Sequence, residues 1–241
     1  MQGFLSIVAL SAISLSATGA AAQCARETLI AETEKLLAAQ TAGKPDTLLG
    51  GATGVAYLEQ FKTADITKGV LTTPLQLDFN RSLIDTTACA TYTEMIAAKA
   101  SHPYVVGTQM HFTGEGETVT LANVSSLVTD QGDWLFNATG TLYWASREKW
   151  DPIPEDQRDS RETIKAAADA YADIFNDKSV KVPWGTPCAR LEGGMYTGTG
   201  SQSDRCDVGI PNGMYKYFDS HDMTSPTPYS RCRNSPPPYD E

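Results

Sequence analysis

The chain is 241 residues long, and its 29 acidic and 19 basic side chains give it a formal net charge of −10 at pH 7. This acidic balance argues against nucleic acid and against a membrane surface as partners, because both require clustered Lys and Arg. A hydrophobic content of 41% is enough for a packed core, and the length suits one large domain or two small ones.

An apolar run near the start of the chain predicts a secretion signal. Residues 4–15 read FLSIVALSAISL, and residues 20–22 (AAA) form the small-residue pattern that signal peptidase requires before Gln23. The alternative is a short membrane helix, but crossing about 30 Å of hydrocarbon takes about 20 apolar residues. We therefore expect residues 1–22 to be removed and the protein to be secreted and extracellular.

The first element after the signal is a predicted helix over residues 26–40, which read RETLIAETEKLLAAQ. One face of this helix carries the residues that recur at helical spacing: Leu29, Thr33, Leu36, Leu37 and Gln40. Gly43 and Pro45 follow at positions where a helix normally stops.

Strand-like alternation dominates the middle of the chain. Residues 104–112 alternate between two faces, with Val106 and Phe112 on the more apolar one, which predicts a half-buried strand. Residues 117–128 continue in a similar way, but their apolar side changes at Asn123. A β-bulge at that point would account for the change.

Residues 130–133 (DQGD) predict a hairpin turn, and another strand is expected after it. One face of this strand would hold an apolar group: Trp134, Phe136, Ala138, Leu142 and Trp144. The glycosylation candidate Asn137 then falls on the opposite, more polar face, where a glycan can be accommodated.

Residues 150–154 (WDPIP) predict the boundary between two halves, because two prolines remove backbone donors that a helix or a central strand needs. A second helix is predicted over residues 161–175, with Ser160 as its N-cap. Its apolar face comprises Ile164, Ala167, Ala168, Tyr171, Ile174 and Phe175. Both predicted helices begin Arg-Glu-Thr and precede similar short segments, so the chain is either internally duplicated or matches itself by chance.

The predicted organisation is a signal peptide over residues 1–22, a first α+β module over 23–149, a second and partial α+β module over 150–224, and a tail over 225–241. The tail contains five prolines and few apolar residues, which predicts disorder.

One block of the second half is specific enough to indicate a family. Residues 182–198 read VPWGTPCARLEGGMYTG, and three shorter segments accompany them, at 81–85 (RSLID), 133–137 (DWLFN) and 150–154 (WDPIP). Together they resemble a family of secreted ascomycete (fungal) proteins that is catalogued only as a domain of unknown function.

The resemblance implies tandem cystatin-like or NTF2-like modules, in each of which a helix packs on a curved antiparallel sheet. It brings no agreed activity with it. After Pro211 the sequence departs from the family pattern, so the second module is expected to lack much of its sheet.

Five cysteines follow the predicted signal, and in an oxidising compartment they are expected to pair. Cys188 and Cys206 bracket a glycine-rich segment that has little apolar content to hold it in place. Cys24 and Cys89 would tie the first helix to the chain just before the sheet. Cys232 is then left over.

Three Asn-X-Ser/Thr sequons, at Asn80, Asn123 and Asn137, agree with a secreted glycoprotein. We expect glycans on Asn137 and Asn80, while the sequence leaves the occupancy of Asn123 open.

Motifs of well-known enzymes and metal sites do not occur in the sequence. It has no G-x-S-x-G, no P-loop, no complete G-x-G-x-x-G and no C-x-x-C. The three histidines, His102, His111 and His221, are not at ligand spacing. Neither a metal nor a cofactor is therefore expected.

A ligand pocket, if the fold has one, would lie between the helix and the concave sheet. The candidate catalytic residues of the first module are Asp85, His111 and Glu59, because a buried carboxylate or an imidazole can act as a general base. The candidate substrate-binding residues are Trp134, Phe136, Trp144, Arg190, Glu192 and Tyr196.

Each of these candidates also has a structural interpretation. The aromatic residues can simply be core, and Arg81 with Asp85 can be an ion pair. Glu192, beside two glycines, can mark a tight turn. His111, on the polar side of its strand, can be a solvated surface side chain.

Two classes of function stay open. One is a cofactor-free isomerase, cyclase or dehydratase that acts on a small, fairly apolar metabolite. The other is a secreted, non-catalytic binding or effector-like protein. A deep pocket with a buried carboxylate or His favours the enzyme, whereas a filled interior with an exposed apolar patch favours the binding protein. The sequence does not indicate an oligomeric state.

Overall fold

The computed structural model describes residues 23–210. The predicted signal segment, residues 1–22, and the predicted tail, residues 225–241, lie outside this range, and so does Cys232. The departure from the family pattern after Pro211 falls outside it as well. The described part includes the whole first predicted module and most of the second.

Four α-helices occur in this range: α1 (Arg26–Ala42), α2 (Pro45–Leu49), α3 (Ala138–Ala145) and α4 (Arg161–Asp173). The prediction of α1 is confirmed together with its buried face, since Leu29 and Leu36 are completely buried. The helix ends where Gly43 adopts a left-handed conformation with a φ of 65°. A Cβ on Gly43 would lie 2.8 Å from the backbone nitrogen of Pro74, so this position requires glycine.

Between residues 23 and 210, eight strands form two sheets: β1 (Ala56–Glu59), β2 (Lys62–Thr63), β3 (Phe79–Asp85), β4 (Ala90–Ala97), β5 (Tyr104–Glu115), β6 (Thr118–Thr129), β7 (Leu191–Glu192) and β8 (Met195–Tyr196). The larger sheet has the order β2-β1-β6-β5-β4-β3, and all neighbours are antiparallel except β1 and β6, which are parallel. The predicted fold class, α+β with a helix packed on a curved antiparallel sheet, is confirmed. β7 and β8 form a separate two-stranded hairpin.

Apolar side chains fill the space between α1 and the six-stranded sheet. Alternate residues of the central strands point towards α1 and are completely buried, among them Met95, Val106, Met110 and Val124. This side of the sheet is the inner face. Burying one such side chain stabilises the fold by about 1.5–3 kcal/mol relative to leaving it exposed, so the packing of α1 contributes strongly to folding.

The predicted β-bulge is confirmed in β6. His111 of β5 lies opposite Asn123, but the next residue, Phe112, lies opposite Leu121, so Ala122 is the extra residue. Because of the bulge, Leu121 and Val124 both reach the inner face although an odd number of positions separates them.

The prediction of a strand after residues 130–133 is wrong, because a helix forms there. These residues do form a turn, in which the amide of Asp133 donates to the carbonyl of Asp130 at 3.2 Å, but the turn leads into α3. Asn137 is the N-cap of that helix, and its side-chain oxygen accepts from the amide of Gly140 at 2.8 Å. Such a cap stabilises a helix start by about 1 kcal/mol, and this local interaction outweighs the alternating pattern.

The second face of the six-stranded sheet, the outer face, is covered in part by α3. Ile96 of β4 points to this face and is completely buried, and α3 contacts both β4 and β5. The side of α3 that is buried consists of Ala138, Thr141 and Ala145. Small residues on this side let the helix lie close to the strands.

α4 forms as predicted, but part of its predicted buried face is wrong. Ser160 is the N-cap, and its hydroxyl accepts from the amide of Thr163 at 3.2 Å. Ile164, expected on the buried face, is 60% exposed. Among residues 150–210 the β7–β8 hairpin is the sheet structure present, so α4 has no broad sheet of its own to cover its first turns.

The C-terminal end of α4 is packed. Ile174 is buried, and the ring of Tyr171 makes T-shaped contacts with Phe175 at 5.5 Å and with Trp184 at 5.3 Å. This aromatic cluster attaches α4 to the segment that follows it. Residues 151–154 have no regular secondary structure, as their prolines predicted.

Both predicted disulfides are present. Cys24–Cys89 joins the segment before α1 to the turn between β3 and β4 across 65 residues of sequence, and Cys188–Cys206 encloses the β7–β8 hairpin across 18. Each bridge should stabilise the folded state by about 3–4 kcal/mol, because it restricts the conformations of the unfolded chain. Within residues 23–210, none of the helices combines the length and apolar content needed to cross a membrane.

Replacing Leu36 with Ala should destabilise the protein by about 2–5 kcal/mol, because it leaves a cavity between α1 and the inner face. Ile164→Ala removes a side chain of similar size from an exposed position and should change the free energy of unfolding by less than about 0.5 kcal/mol. Urea unfolding followed by circular dichroism measures both changes. Equal effects of the two substitutions would contradict the burial of Leu36 and the exposure of Ile164.

Candidate functional site

An open cleft with a volume of about 330 Å³ lies at one end of the six-stranded sheet. It is bordered by the end of β1, the end of β6, the start of β5 and a 3-10 turn, Val70–Thr72. Most of its lining residues are polar: Glu59, Gln60, Lys68, Gly69, Val70, Thr72, Thr73, Tyr104, Val128 and Asp130. Of the three predicted catalytic residues, Glu59 is the one that lines this cleft.

Two donors hold the carboxylate of Glu59 in the wall of the cleft. Its Oε2 accepts from the hydroxyl of Tyr57 at 2.6 Å and from the amide of Val70 at 2.7 Å. Tyr57 and Glu59 are two residues apart on β1, so both point to the inner face. The carboxylate therefore has a fixed position, as a general base or a ligand anchor requires.

The turn that donates to Glu59 is anchored by α1. The completely buried side-chain amide of Gln40 donates to the carbonyls of Val70 at 3.0 Å and of Thr73 at 2.9 Å. Gly69 allows a close approach, since a Cβ there would lie 2.5 Å from Oε2 of Glu59. The geometry of the site thus depends on α1 as well as on β1.

Tyr57 is a neutral hydrogen-bond donor at physiological pH. Burial raises the pKa of Tyr57 far above its ordinary value, and the hydrogen bond to Glu59 and the negative charge of Glu59 raise it further. A side-chain contact with Ser126 acts in the opposite direction. The proton of this pair therefore stays on the phenol, and Glu59 is the acceptor.

Other hydroxyl groups extend from Tyr57 across the inner face. Ser126 pairs with Thr108 at 3.0 Å, and Ser82 pairs with Thr93 at 2.9 Å. The register places Thr93 directly opposite Thr108, so the pairs lie in one row across the sheet. The hydrogen bonds offset the free energy of burying these hydroxyl groups, and the row is a polar stripe in an otherwise apolar interior.

A histidine–carboxylate pair lies at the rim of the cleft. His102 Nε2 is 3.0 Å from Asp130 Oδ2, and the imidazole ring is 4.6 Å from the ring of Tyr104. On another side, the Gln60 side chain binds both the amide and the carbonyl of Val128. A ligand in the cleft would therefore meet carboxylates, a phenol and an amide.

Asp85, a predicted catalytic residue, lies at the end of β3 and outside the cleft. Its two oxygens accept from the guanidinium of Arg161 at 2.9 and 2.5 Å, and Oδ1 also accepts from the amide of Ala88 at 2.8 Å. The hydrogen bond to Arg161 holds the pKa of Asp85 below its ordinary range. This ion pair is largely solvent-exposed and contributes little stability, but it joins the start of α4 to the sheet.

The interpretation of Arg81 as the partner of Asp85 is wrong. Arg81 instead pairs with Glu94 at 2.8 Å and with Glu148 at 2.7 Å, and the ring of Trp150 covers its guanidinium at 3.9 Å. These contacts hold the segment after α3 against the outer face.

His111 is exposed on the outer face, opposite Asn123 across the β5–β6 pair. Glu59 belongs to the inner face, so the structure does not bring the predicted catalytic residues together. Within the described range, no group of three or more His, Cys, Asp or Glu side chains is arranged to hold a metal ion.

The predicted aromatic binding residues lie around α3, away from the cleft. Trp144 stacks on Tyr196 of the β7–β8 hairpin with 3.9 Å between ring centres, Trp134 is 61% exposed, and Phe136 is half-buried. Their role as a pocket lining depended on a strand that does not form. The Trp144–Tyr196 stack instead attaches the hairpin to α3.

Arg190 and Glu192, also predicted to bind a ligand, are engaged within the second half of the chain. The guanidinium of Arg190 donates to the carbonyls of Cys206 and Val208, both at 2.8 Å. Its Nε lies 2.9 Å from Oε1 of Glu192, close enough for an ion pair but not aligned as a hydrogen bond. These contacts close the loop that the Cys188–Cys206 disulfide defines.

Sequence reasoning missed Tyr57, Val70 and the pair formed by His102 and Asp130. A signal for Tyr57 existed, because Tyr-Leu-Glu in a strand places Tyr57 and Glu59 on one face. No local pattern shows that Val70 contacts Glu59 or that Asp130, with His102 beside it, lines the same cleft. Their approach depends on the parallel pairing of β1 with β6 and on the path of the turn.

Comparison with known proteins places a family similarity in the second half of the chain. The family described as Domain of unknown function (DUF8021) matches residues 157–224. The matched segment is less than half of the chain and lies C-terminal to every residue that lines the cleft. No curated protein matches the sequence. The expected similarity to a family catalogued only as a domain of unknown function is thus found in the second half, without an activity attached.

Replacing Glu59 with Gln should lower the pKa of Tyr57, because the carboxylate accepts a hydrogen bond from the phenol and its charge repels the phenolate. The pKa should stay above the ordinary value, since burial is the larger cause and is unchanged. Alkaline titration by ultraviolet absorbance measures this, with Tyr57→Phe to identify the signal. Glu117→Gln, which alters an exposed carboxylate between β5 and β6, is the matched control. If Tyr57 titrates identically in Glu59→Gln and the wild type, the pair does not exist in solution.

Proposed function

We propose that this chain is a secreted glycoprotein that binds a small molecule in the Glu59 cleft and acts on it as a cofactor-free isomerase, cyclase or dehydratase. The proposal is carried by the carboxylate of Glu59, held by Tyr57 at 2.6 Å and by Val70 at 2.7 Å in the wall of the cleft. A carboxylate fixed at a ligand-sized opening is suited to general-base catalysis.

The proposed step is removal of a proton from a carbon next to a carbonyl group. The electrons of the C–H bond move into the carbonyl to form an enolate, and the proton moves to Glu59. In an isomerase, the proton of the adjacent hydroxyl group moves to the former carbonyl oxygen, and Glu59 returns its proton to the former carbonyl carbon. In a dehydratase, Glu59 gives its proton to the β-hydroxyl group, which leaves as water while the enolate becomes an α,β-unsaturated carbonyl compound. Tyr104 and His102, at the rim, are donors that can stabilise the developing oxyanion.

The lining of the cleft favours a polar substrate. The sequence led to the expectation of an apolar metabolite because Trp134, Phe136 and Trp144 were placed in the pocket, but these residues lie elsewhere. The cleft presents hydroxyl, amide and carboxylate groups instead. The substrate class proposed is therefore a small hydroxylated carbonyl compound, whose hydroxyl groups can pair with these side chains.

Binding without turnover is a second candidate, and one observation favours it. Completely buried side chains fill the interior between α1 and the inner face, so Glu59 faces an open surface cleft instead of a deep pocket. Enzymes that form enolates usually exclude water from the reacting atoms. An open cleft is better suited to a protein that holds its ligand without changing it.

The location and origin of the protein belong to the same proposal. Two disulfides are compatible with an oxidising, extracellular environment, and three sequons agree with passage through a secretory lumen. The family match supports the relationship to a domain of unknown function in the second half of the chain, and the fungal origin and the tandem modules rest on the sequence resemblance. In that relationship α4 and the β7–β8 hairpin would represent the partial second module.

Exchange of carbon-bound hydrogen tests the catalytic role. The protein is incubated in D2O with a panel of small hydroxylated ketones, and loss of the α-proton signal is followed by proton NMR. We expect protein-dependent exchange for at least one compound. Glu59→Gln should reduce this rate by about 10²–10⁴-fold, which is the usual contribution of a general base.

Glu117→Gln should leave the exchange rate unchanged, since this carboxylate lies outside the cleft. Amide chemical shifts around Glu59 report binding in the same samples. Binding without exchange would favour the binding protein over the enzyme. Exchange that persists in Glu59→Gln would contradict the role of Glu59, and a panel that neither binds nor exchanges would contradict the substrate class.

A further inference from the structure

The outer face carries an apolar strip that α3 leaves uncovered. Leu83, Tyr92 and Leu127 are 45%, 39% and 44% exposed, and they form what we call the outer strip. Leu83 lies directly opposite Tyr92, and Leu127 lies opposite Gly107. The ring of Tyr92 crosses Gly107, because a Cβ there would be only 2.7 Å from the Tyr92 hydroxyl. The strip is therefore continuous over four strands.

The outer strip adjoins an edge of the sheet. Leu83 belongs to β3, which is the last strand of the order β2-β1-β6-β5-β4-β3. An edge strand presents backbone donors and acceptors that can pair with another chain, and an exposed apolar patch beside it strengthens such pairing. The strip and the edge together form one surface on which copies of the protein would associate if nothing covered it.

One sequon lies on the outer face next to the strip. Asn123 points outward, because its neighbour Val124 is completely buried on the inner face. Ser125, the next outward residue of β6, lies opposite Gln109, and Gln109 lies opposite Tyr92. Asn123 is thus one row of side chains, or about 7 Å along the strand, from the row that contains Tyr92, and β6 is two strands, or about 10 Å, from β4.

A second sequon lies on the edge strand itself. Asn80 is an exposed residue of β3 that lies opposite the inner-face residue Met95, so its side chain leaves the edge strand on the side opposite to Leu83. The third sequon is in a different place, because Asn137 caps α3. The sequence alone provides no reason to group two of the three sequons. The sheet places Asn80 on the β3 edge strand and Asn123 on the outer face, part of which α3 leaves uncovered.

We propose that N-linked glycans on Asn80 and Asn123 cover the β3 edge and the outer strip and thereby keep the protein monomeric. The C–H faces of the first sugar rings pack on Tyr92 and its apolar neighbours, while the sugar hydroxyl groups stay in water. The bulk of the Asn80 glycan blocks strand pairing at β3.

This inference rests on the secretory passage in the proposed function but not on the Glu59 cleft, which lies on the inner face. Expression behind a heterologous secretion leader in yeast separates the two questions, since glycosylation then does not require the chain's own signal. If no compound binds or exchanges in the cleft, the proposed role of the glycans is unaffected. If the glycans prove not to control association, the proposed role of the cleft is likewise unaffected.

The experiment compares wild-type protein with Asn80→Gln, Asn123→Gln and the double variant. Peptide mass spectrometry measures occupancy, light scattering after gel filtration measures mass, and fluorescence of an apolar dye measures the exposed strip. We expect both sites to be occupied and the wild type to be monomeric. The double variant should self-associate and bind several-fold more dye.

Two controls and one rescue variant distinguish shielding by glycans from other causes of association. Thr139→Ala removes the Asn137 sequon but keeps the Asn137 cap, and it should change neither mass nor dye binding. Endoglycosidase trimming of folded wild-type protein should reproduce the double variant, which separates shielding from a folding defect. Leu83→Asp in the double variant should restore the monomer. An unoccupied Asn123 in the secreted protein, or a trimmed protein that stays monomeric with unchanged dye binding, would overturn the proposal.

Discussion

Helix α1 lies along the inner face of the sheet through a stripe in which Leu29, Leu36 and Gln40 are completely buried. This single helix of 17 residues covers the apolar side of the central strands, so the sheet has a core only while α1 is in place. The Cys24–Cys89 disulfide fixes its start. The left-handed Gly43 fixes its end and lets the chain pass closely by Pro74.

Gln40 connects this packing to the cleft. A buried polar side chain destabilises a fold unless its groups are paired, and the amide of Gln40 binds the carbonyls of Val70 and Thr73. The amide of Val70 in turn donates to Glu59. Within residues 23–210 the Gln40 Oε1 finds no donor, which costs roughly 1–3 kcal/mol. That cost is understandable if Gln40 serves to position the turn and not only to stabilise the helix.

The two faces of the sheet have separate roles. The inner face holds the core, the row of hydroxyl groups and Glu59, while the outer face supports α3 and, through α3, the second half of the chain. The contact of Arg81 with the Trp150 ring, the Asp85–Arg161 pair and the Trp144–Tyr196 stack all attach that half to the first one. Asp85, Trp144 and Tyr196, which were predicted as site residues, thus form contacts between the two halves. Glu59, the least distinctive candidate, lines the cleft.

The sequence by itself determined the elements whose signals are local. Helical spacing identified α1 and its buried face, alternation identified β5, a change of side identified the bulge in β6, and cysteine positions identified both disulfides. Local pattern failed at residues 134–144, where an N-cap at Asn137 outweighed the alternation. It also failed at Ile164, beneath which the part of the chain that the structure describes places no sheet.

The tertiary structure alone decided which distant residues meet. The turn held by Gln40 brings the amide of Val70 to Glu59, and the parallel pairing of β1 with β6 places Glu59 and Asp130 in the lining of one cleft. Strand register places Asn123 on the outer face, one row of side chains from the row of Tyr92. Such contacts join residues far apart in sequence, and no periodicity within one segment encodes them, because they arise from the order of strands in the sheet.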